Sequence, residues 1–128
     1  MLKSARITPI DQGAWDDVAI LTVSDFGRTL TPNARGTDHA WGGNMIVMGG
    51  SVAGGQVLGS FPSTFDEASN EQLLSKGRLV PTMPWEAMWN AVGEWVGVEE
   101  GIMQSTVLPN HANFGAEALL TKAQLFEA

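Results

Sequence analysis

Residues 17–50 read DVAILTVSDFGRTLTPNARGTDHAWGGNMIVMGG, and the predicted fold is built around them. The first apolar run, Val18 to Val23, is nearly continuous and rich in β-branched residues. That pattern is typical of a strand covered on both faces, as in a parallel sheet. A second apolar run, Met45 to Met48, precedes Gly49-Gly50. The sequence therefore predicts two buried strands joined by a polar, glycine-containing loop.

The loop holds most of the side chains that are capable of chemistry. Asp25 and Arg28 stand where the first strand should end, and open α/β sheets bind ligands at the carboxyl ends of their strands. Asp38 and His39 follow within a glycine-bracketed segment. A carboxylate and an imidazole are good ligands for zinc and related divalent ions, so this pair is a candidate metal site. The alternative is that Asp38 caps a turn and His39 is partly exposed.

Asp25 and Arg28 have two interpretations of their own. Asp25 could be a metal ligand or a general base, and Arg28 could hold a phosphate or sulfate through bidentate hydrogen bonds. The alternative is an ion pair between the two residues that fixes the loop. Ser24 and Thr29 are weak nucleophile candidates, because no Gly-x-Ser-x-Gly elbow is present. No catalytic residue is therefore assigned from the sequence.

Pro84 to Val96 is the clearest predicted helix. Its apolar residues recur at spacings of three and four, which gives one wide apolar face. Pro84 suits a first helical turn and Gly97 suits the residue after the end. Further helices are predicted within Glu99 to Ser105 and over Phe114 to Phe126. The predicted fold class is α/β, with a few buried strands packed with about three helices.

Composition limits the function classes. A chain of 128 residues suffices for one domain, so residues 1–128 are predicted to form a single domain. Lys and Arg number 7 against 14 Asp and Glu, without a basic cluster, so neither a nucleic acid nor an anionic membrane is an expected partner. The absence of cysteine excludes disulfides and thiolate ligands. The N-terminal segment MLKSARITPIDQGAW lacks the apolar core of a signal peptide, and no run is long enough to span a bilayer, so the localisation stays open.

Three linked segments resemble a known family. They are residues 17–55, the later GRLVPTMPWEAMWNAVGEWVGVEE, and VLPNHANF. Together they resemble the C-terminal part of a bacterial protein family of unknown function, in the sulfatase-like branch of the alkaline phosphatase superfamily. The resemblance implies a partial alkaline phosphatase-like fold. It also implies that Asp38 and His39 bind a divalent metal (zinc, manganese or calcium), with Asp25 and Arg28 as supporting or anion-binding contacts. In a second alignment TVSDFG matches a strand-Ser-Asp-His-Gly motif, which makes Asp25 the metal ligand.

The resemblance also implies a function. The parent reaction would be metal-dependent hydrolysis of a small phosphate or sulfate ester. Full-length members are several times longer and carry their nucleophile upstream, so the chain is expected to be a truncated fragment with a remnant metal site, inactive alone. The alternative is a non-catalytic binding or homo-oligomeric assembly module. Exposed strand edges and faces would drive pairing with a second copy or with an upstream partner chain.

Overall fold

A computed structural model describes residues 12–127, which divide into two compact units. Within the described residues the first unit comprises 12–21, 47–56 and 83–127, and the second comprises 22–46 and 57–82. Residues 1–11 and residue 128 lie outside the described residues. The predicted single domain includes all of them, and the N-terminal segment considered as a signal peptide includes residues 1–11. The single-domain assignment stays a prediction.

The described elements are short, apart from one helix. The strands are β1 (Ala19–Leu21), β2 (Gly27–Asn33), β3 (Gly36–Ala40), β4 (Val47–Gly49), β5 (Leu73–Leu74) and β6 (Arg78–Leu79). The α-helices are α1 (Trp85–Trp95), α2 (Glu100–Ile102) and α3 (Lys122–Leu125). Single turns of 3-10 helix occur at Trp15–Asp17, His111–Asn113 and Ala116–Ala118, and Met103–Val107 forms a π-helical turn.

The first unit contains a strand pair made from the two apolar runs of the sequence. β1 pairs with β4 in antiparallel orientation, with Ile20 opposite Met48. Side chains of both strands are half-buried. The predicted parallel sheet, buried on both faces, is therefore wrong in orientation and in depth. A parallel pair needs a long crossover between its strands, whereas the chain between β1 and β4 folds into a hairpin of its own.

Helix α1 forms as the sequence predicts. Pro84 precedes it in an extended conformation, and Gly97 follows it with φ +82°, in the left-handed region that favours glycine. Ala87 and Ala91 are fully buried, while Trp85 is 45% exposed. The helix therefore faces the core of the first unit with Ala87, Met88 and Ala91, while the Trp85 side chain is exposed at its start.

The predicted helix over Phe114 to Phe126 does not form as one element. Leu119 is extended, and α3 begins only after Thr121, whose side chain and that of Gln124 make a capping box. A capping box satisfies backbone groups at a helix start, so it begins a new helix rather than continuing an old one. The buried Leu120 carbonyl instead accepts a 3.0 Å hydrogen bond from the Asn90 side chain.

The fold class agrees with the sequence. In residues 12–127 three α-helices accompany three antiparallel strand pairs, β1–β4, β2–β3 and β5–β6, so the mixed α/β prediction is confirmed. No helix in this part of the chain is long and apolar enough to cross a membrane.

Candidate functional site

The predicted polar loop is a β-hairpin in the second unit. β2 and β3 pair in antiparallel orientation, with Gly27 opposite Ala40 and Arg28 opposite His39. At the turn, the Asn33 side chain accepts a 2.8 Å hydrogen bond from the backbone N–H of Arg35. Asn and Gly suit such a turn because they tolerate conformations that other residues avoid. All the candidate site residues lie on this hairpin or at its start.

A bulge interrupts the hairpin between Arg28 and Pro32, where the register shifts. The ladder resumes at Pro32, which lies opposite Thr37, so the residues from Thr29 to Thr31 lack regular partners on β3. The buried Thr29 hydroxyl replaces the missing pairing. It donates to the Thr31 carbonyl at 3.0 Å and accepts from the Asp38 backbone N–H at 3.1 Å. The bulge therefore fixes the position of Asp38.

Asp38 is held by two side chains. Its Oδ2 lies 3.1 Å from Nζ of Lys76 and its Oδ1 accepts a 2.6 Å hydrogen bond from Asn33. Lys76 belongs to the turn between β5 and β6 and has a φ of +67°. The hydrogen bonds from Lys76 and then from Asn33 lower the pKa of Asp38 below its ordinary value of 3.8.

His39 contacts a different group of side chains. Its ring stacks on Phe26, with 4.0 Å between ring centroids and 21° between planes. The Arg28 guanidinium lies 5.3 Å from the centroid of the same Phe26 ring, and its Nη1 donates to the Thr37 carbonyl at 2.8 Å. Successive strand residues face opposite sides of a hairpin. Asp38 and His39 therefore serve two separate clusters, one polar and one aromatic.

The whole site lies within a match to a known protein family. The model of the family described as Protein of unknown function (DUF1501) matches residues 7–85, which is more than half of the chain. The chain belongs to this DUF1501 family. No curated protein matches the chain, and no solved structure does.

The match corrects the family resemblance drawn from the sequence. The DUF1501 family is matched and no sulfatase family is, so the assignment to a sulfatase-like branch of the alkaline phosphatase superfamily is wrong. The resemblance was drawn with Asp38-His39 in a loop between two strands, whereas this pair lies inside an antiparallel hairpin. Hydrolysis of a phosphate or sulfate ester followed from that resemblance, and it loses this support.

In the DUF1501 chain the predicted metal ligands lie on different parts of the hairpin, and the metal site stays a prediction. Asp38 and His39 face opposite sides of β3, and Asp25 lies in a bend before β2. No group of three or more His, Cys, Asp or Glu residues that could hold a metal occurs in residues 12–127. The alternative Asp25–Arg28 ion pair does not form either, since within those residues the ion pair is Lys76–Asp38. The role of Arg28 in binding an anion stays a prediction.

Elemental analysis tests the prediction that the chain binds zinc, manganese or calcium. From the opposed side chains we expect the purified chain to hold less than one equivalent of any of these metals. We expect that amount to be the same in the Asp38→Ala, His39→Ala double variant. One equivalent in the unchanged chain that disappears in the double variant would contradict this expectation and support the metal site.

Two residues of the site were missed by sequence reasoning. Lys76, the partner of Asp38, is 38 positions away, and nothing in the sequence pattern links them. Phe26 stands where the strand-Ser-Asp-His-Gly motif has its histidine and was given no role, although its ring contacts both Arg28 and His39. An aromatic residue two positions before an arginine on a strand could have indicated the cation–π contact, because both residues face the same side.

The lowered pKa of Asp38 predicts a pH dependence of stability. Ionised Asp38 stabilises the folded second unit above the ordinary pKa of 3.8, and this contribution is lost as the pH falls through the lowered folded-state pKa. We expect Asp38→Asn to lower the urea midpoint slightly at neutral pH, because the pair is largely exposed, and not to lower it at about pH 2.

Asp25→Asn is the matched control for that measurement. Asp25 has no hydrogen bond or ion pair within residues 12–127. Its replacement should therefore not produce the difference in urea midpoint between neutral and acid pH that is expected of Asp38→Asn. An Asp38→Asn effect that stayed the same at neutral and acid pH would show that the charge of Asp38 is not its source.

Proposed function

We propose that this chain is a non-catalytic assembly module that binds a second copy of itself through the second unit. The supporting observation is the burial pattern of that unit. Its buried apolar side chains within the described residues are Ala40 and Leu73, compared with nine in the first unit. Ten large apolar side chains of the second unit are exposed, and we call them the assembly surface: Val23, Leu30, Trp41, Met45, Ile46, Val57, Phe61, Phe65, Leu74 and Val80.

The energetics favour a partner for this surface. Burying one large apolar side chain contributes about 1.5–3 kcal/mol, whereas ordering the backbone costs roughly 1–2 kcal/mol per residue. The two buried apolar side chains of this unit, Ala40 and Leu73, offset little of the free-energy cost of ordering its backbone. Contiguous exposed apolar patches mark interaction sites in soluble proteins. Covering the assembly surface with another polypeptide would supply the burial that the unit lacks.

The charge distribution favours a second copy as that polypeptide. Soluble oligomers are mostly homo-oligomers. The second unit is nearly neutral, with four basic residues (Arg28, Arg35, Lys76, Arg78) and five acidic ones (Asp25, Asp38, Asp66, Glu67, Glu71). The described part of the first unit has eight acidic residues and one basic residue, Lys122. Two copies that meet through their second units therefore avoid the repulsion that first units would cause.

Charged substitutions on the assembly surface test the proposal. Phe61 and Phe65 are 54% and 62% exposed, so glutamates at both positions should leave the fold intact and prevent two copies from meeting. We expect the Phe61→Glu, Phe65→Glu variant to sediment as a monomer where the unchanged chain is an oligomer.

Ile102→Glu is the matched control, since Ile102 is 49% exposed and belongs to the first unit. It should leave the oligomeric mass unchanged. An equal fall in oligomeric mass in both variants, or no fall in either, would contradict the assignment of the assembly surface. Circular dichroism of each variant establishes that it is folded.

A further inference from the structure

The first unit has an apolar groove along α1. One wall consists of Trp85, Trp89, Val92 and Val96, and the facing wall includes Val107 and Pro109. The groove has a volume of about 430 Å³. Three of these side chains are substantially open to solvent: Trp85 is 45% exposed, Val96 62% and Val107 46%. These side chains belong to the first unit, whereas the proposed assembly surface belongs to the second.

The shape of the groove matches a helix better than an extended strand. Trp85, Trp89, Val92 and Val96 follow one another at spacings of three and four, so they form a continuous stripe along one face of α1. From the first to the last, the stripe is about 16 Å long at 1.5 Å per residue. A docked helix of three turns has the same length, and it inserts apolar side chains at the same spacings.

The acidic residues around the groove favour a basic helix as its partner. Glu86 lines the groove itself. Glu99 and Glu100 follow Val98, another lining residue, and the described part of the first unit carries eight acidic residues against Lys122. Such a field attracts cations and repels a second acidic copy of the same unit.

We propose that this groove binds a basic amphipathic helix of a partner protein. Apolar side chains of the partner helix enter the groove, and Lys or Arg side chains on its flanks lie against Glu86 and Glu99. Desolvated apolar contacts supply most of the affinity, while the flanking charges set the choice of partner and the association rate. The site is separate from the assembly surface, so either proposal can fail without the other.

A synthetic helix tests the proposal. The probe is a fluorescently labelled peptide of about 18 residues, with leucine at helical spacings of three and four and lysine elsewhere, a length of about five helical turns. We expect saturable binding to the full chain by fluorescence anisotropy, with affinity that falls as salt rises. The same peptide with glutamate in place of lysine should bind at least about tenfold more weakly.

Two variants locate the binding. Trp85→Ala removes one end of the stripe and should weaken lysine-peptide binding at least about tenfold. Ile102→Ala removes a side chain of similar exposure outside the groove and should leave binding unchanged. Binding should also persist in the Phe61→Glu, Phe65→Glu variant, which separates the groove from the assembly surface.

Four results would overturn the proposal. They are no saturable binding of the lysine peptide, equal binding of the glutamate peptide, equal weakening by Trp85→Ala and Ile102→Ala, and a fall in oligomeric mass caused by Trp85→Ala. The last result would mean that a second copy of the chain occupies the groove. Thermal unfolding of each variant distinguishes lost binding from lost folding.

Discussion

Replacing Gly27 with alanine is expected to unfold the second unit. A Cβ at position 27 would overlap the backbone carbonyl of Gly42, and a Cβ at Gly42 would lie 2.7 Å from the Leu79 carbonyl oxygen. The Gly42 N–H also donates to that oxygen at 3.0 Å. These glycines therefore allow β2, β3 and β6 to approach one another. Because the obstacle is backbone, the cost should reach or exceed the roughly 1–3 kcal/mol that is typical of overpacking.

Hydrogen exchange measures this effect locally. The backbone N–H groups of Leu30 and Thr31 donate to the carbonyls of Gly77 and Lys76, so their protection reports on the folded second unit. Gly43→Ala is the control, since a Cβ there would be 3.8 Å from its nearest neighbour, the Gly27 Cα. Protection in Gly27→Ala equal to that in Gly43→Ala would show that the close approach is not required.

Replacing Asn90 with alanine should lower the stability of the first unit. The loss should be large, but smaller than the loss that Gly27→Ala causes in the second unit. Asn90 is 6% exposed, and its Nδ2 donates to the Leu120 carbonyl and to Glu94, each at 3.0 Å. Glu94 in turn accepts a 2.6 Å hydrogen bond from the Lys122 backbone N–H at the start of α3. Leaving the buried carbonyl without a donor costs about 1–3 kcal/mol, and the lost side-chain volume adds to that cost.

Urea unfolding followed by far-ultraviolet circular dichroism measures the free energy of unfolding of this variant. Gln104→Ala is the matched control, because Gln104 makes one exposed side-chain hydrogen bond, to Glu100. It should change the free energy of unfolding by less than about 0.5 kcal/mol. An Asn90→Ala variant as stable as Gln104→Ala would show that the Asn90–Leu120 bond does not hold the C-terminal segment on α1.

Local pattern was enough to predict the longest element. Apolar periodicity, Pro84 and Gly97 predicted α1 almost to the residue, because spacing, start and stop signals agree there. The two apolar runs were also recognised as strands. Their antiparallel pairing was not, because a short apolar run does not show which orientation its partner takes. The hairpin between them was missed because Pro32 and the glycines are typical of loops. In the structure Pro32 lies within β2 after a bulge, and Gly27 and Gly36 begin the two strands.

The sequence placed the candidate residues in one segment and did not show their geometry. Asp38, His39 and Arg28 do lie together on one hairpin. Their assignment to one metal site stays a prediction, and it was made without the alternation by which neighbouring strand residues face opposite sides. The contact of Asp38 with Lys76 joins positions far apart in the chain, and the burial contrast between the two units depends on the whole fold. Neither this contact nor the burial contrast can be predicted from the spacing of residues in the sequence.

Sedimentation of the unchanged chain tests assembly through the second unit most directly. The sedimented mass should be a multiple of 13.6 kDa at high micromolar concentration and should decrease toward that value on dilution. A stable interface should cover roughly 800 Å² on each copy. A mass of 13.6 kDa at every micromolar concentration, from a chain that is folded, would contradict the proposed self-association.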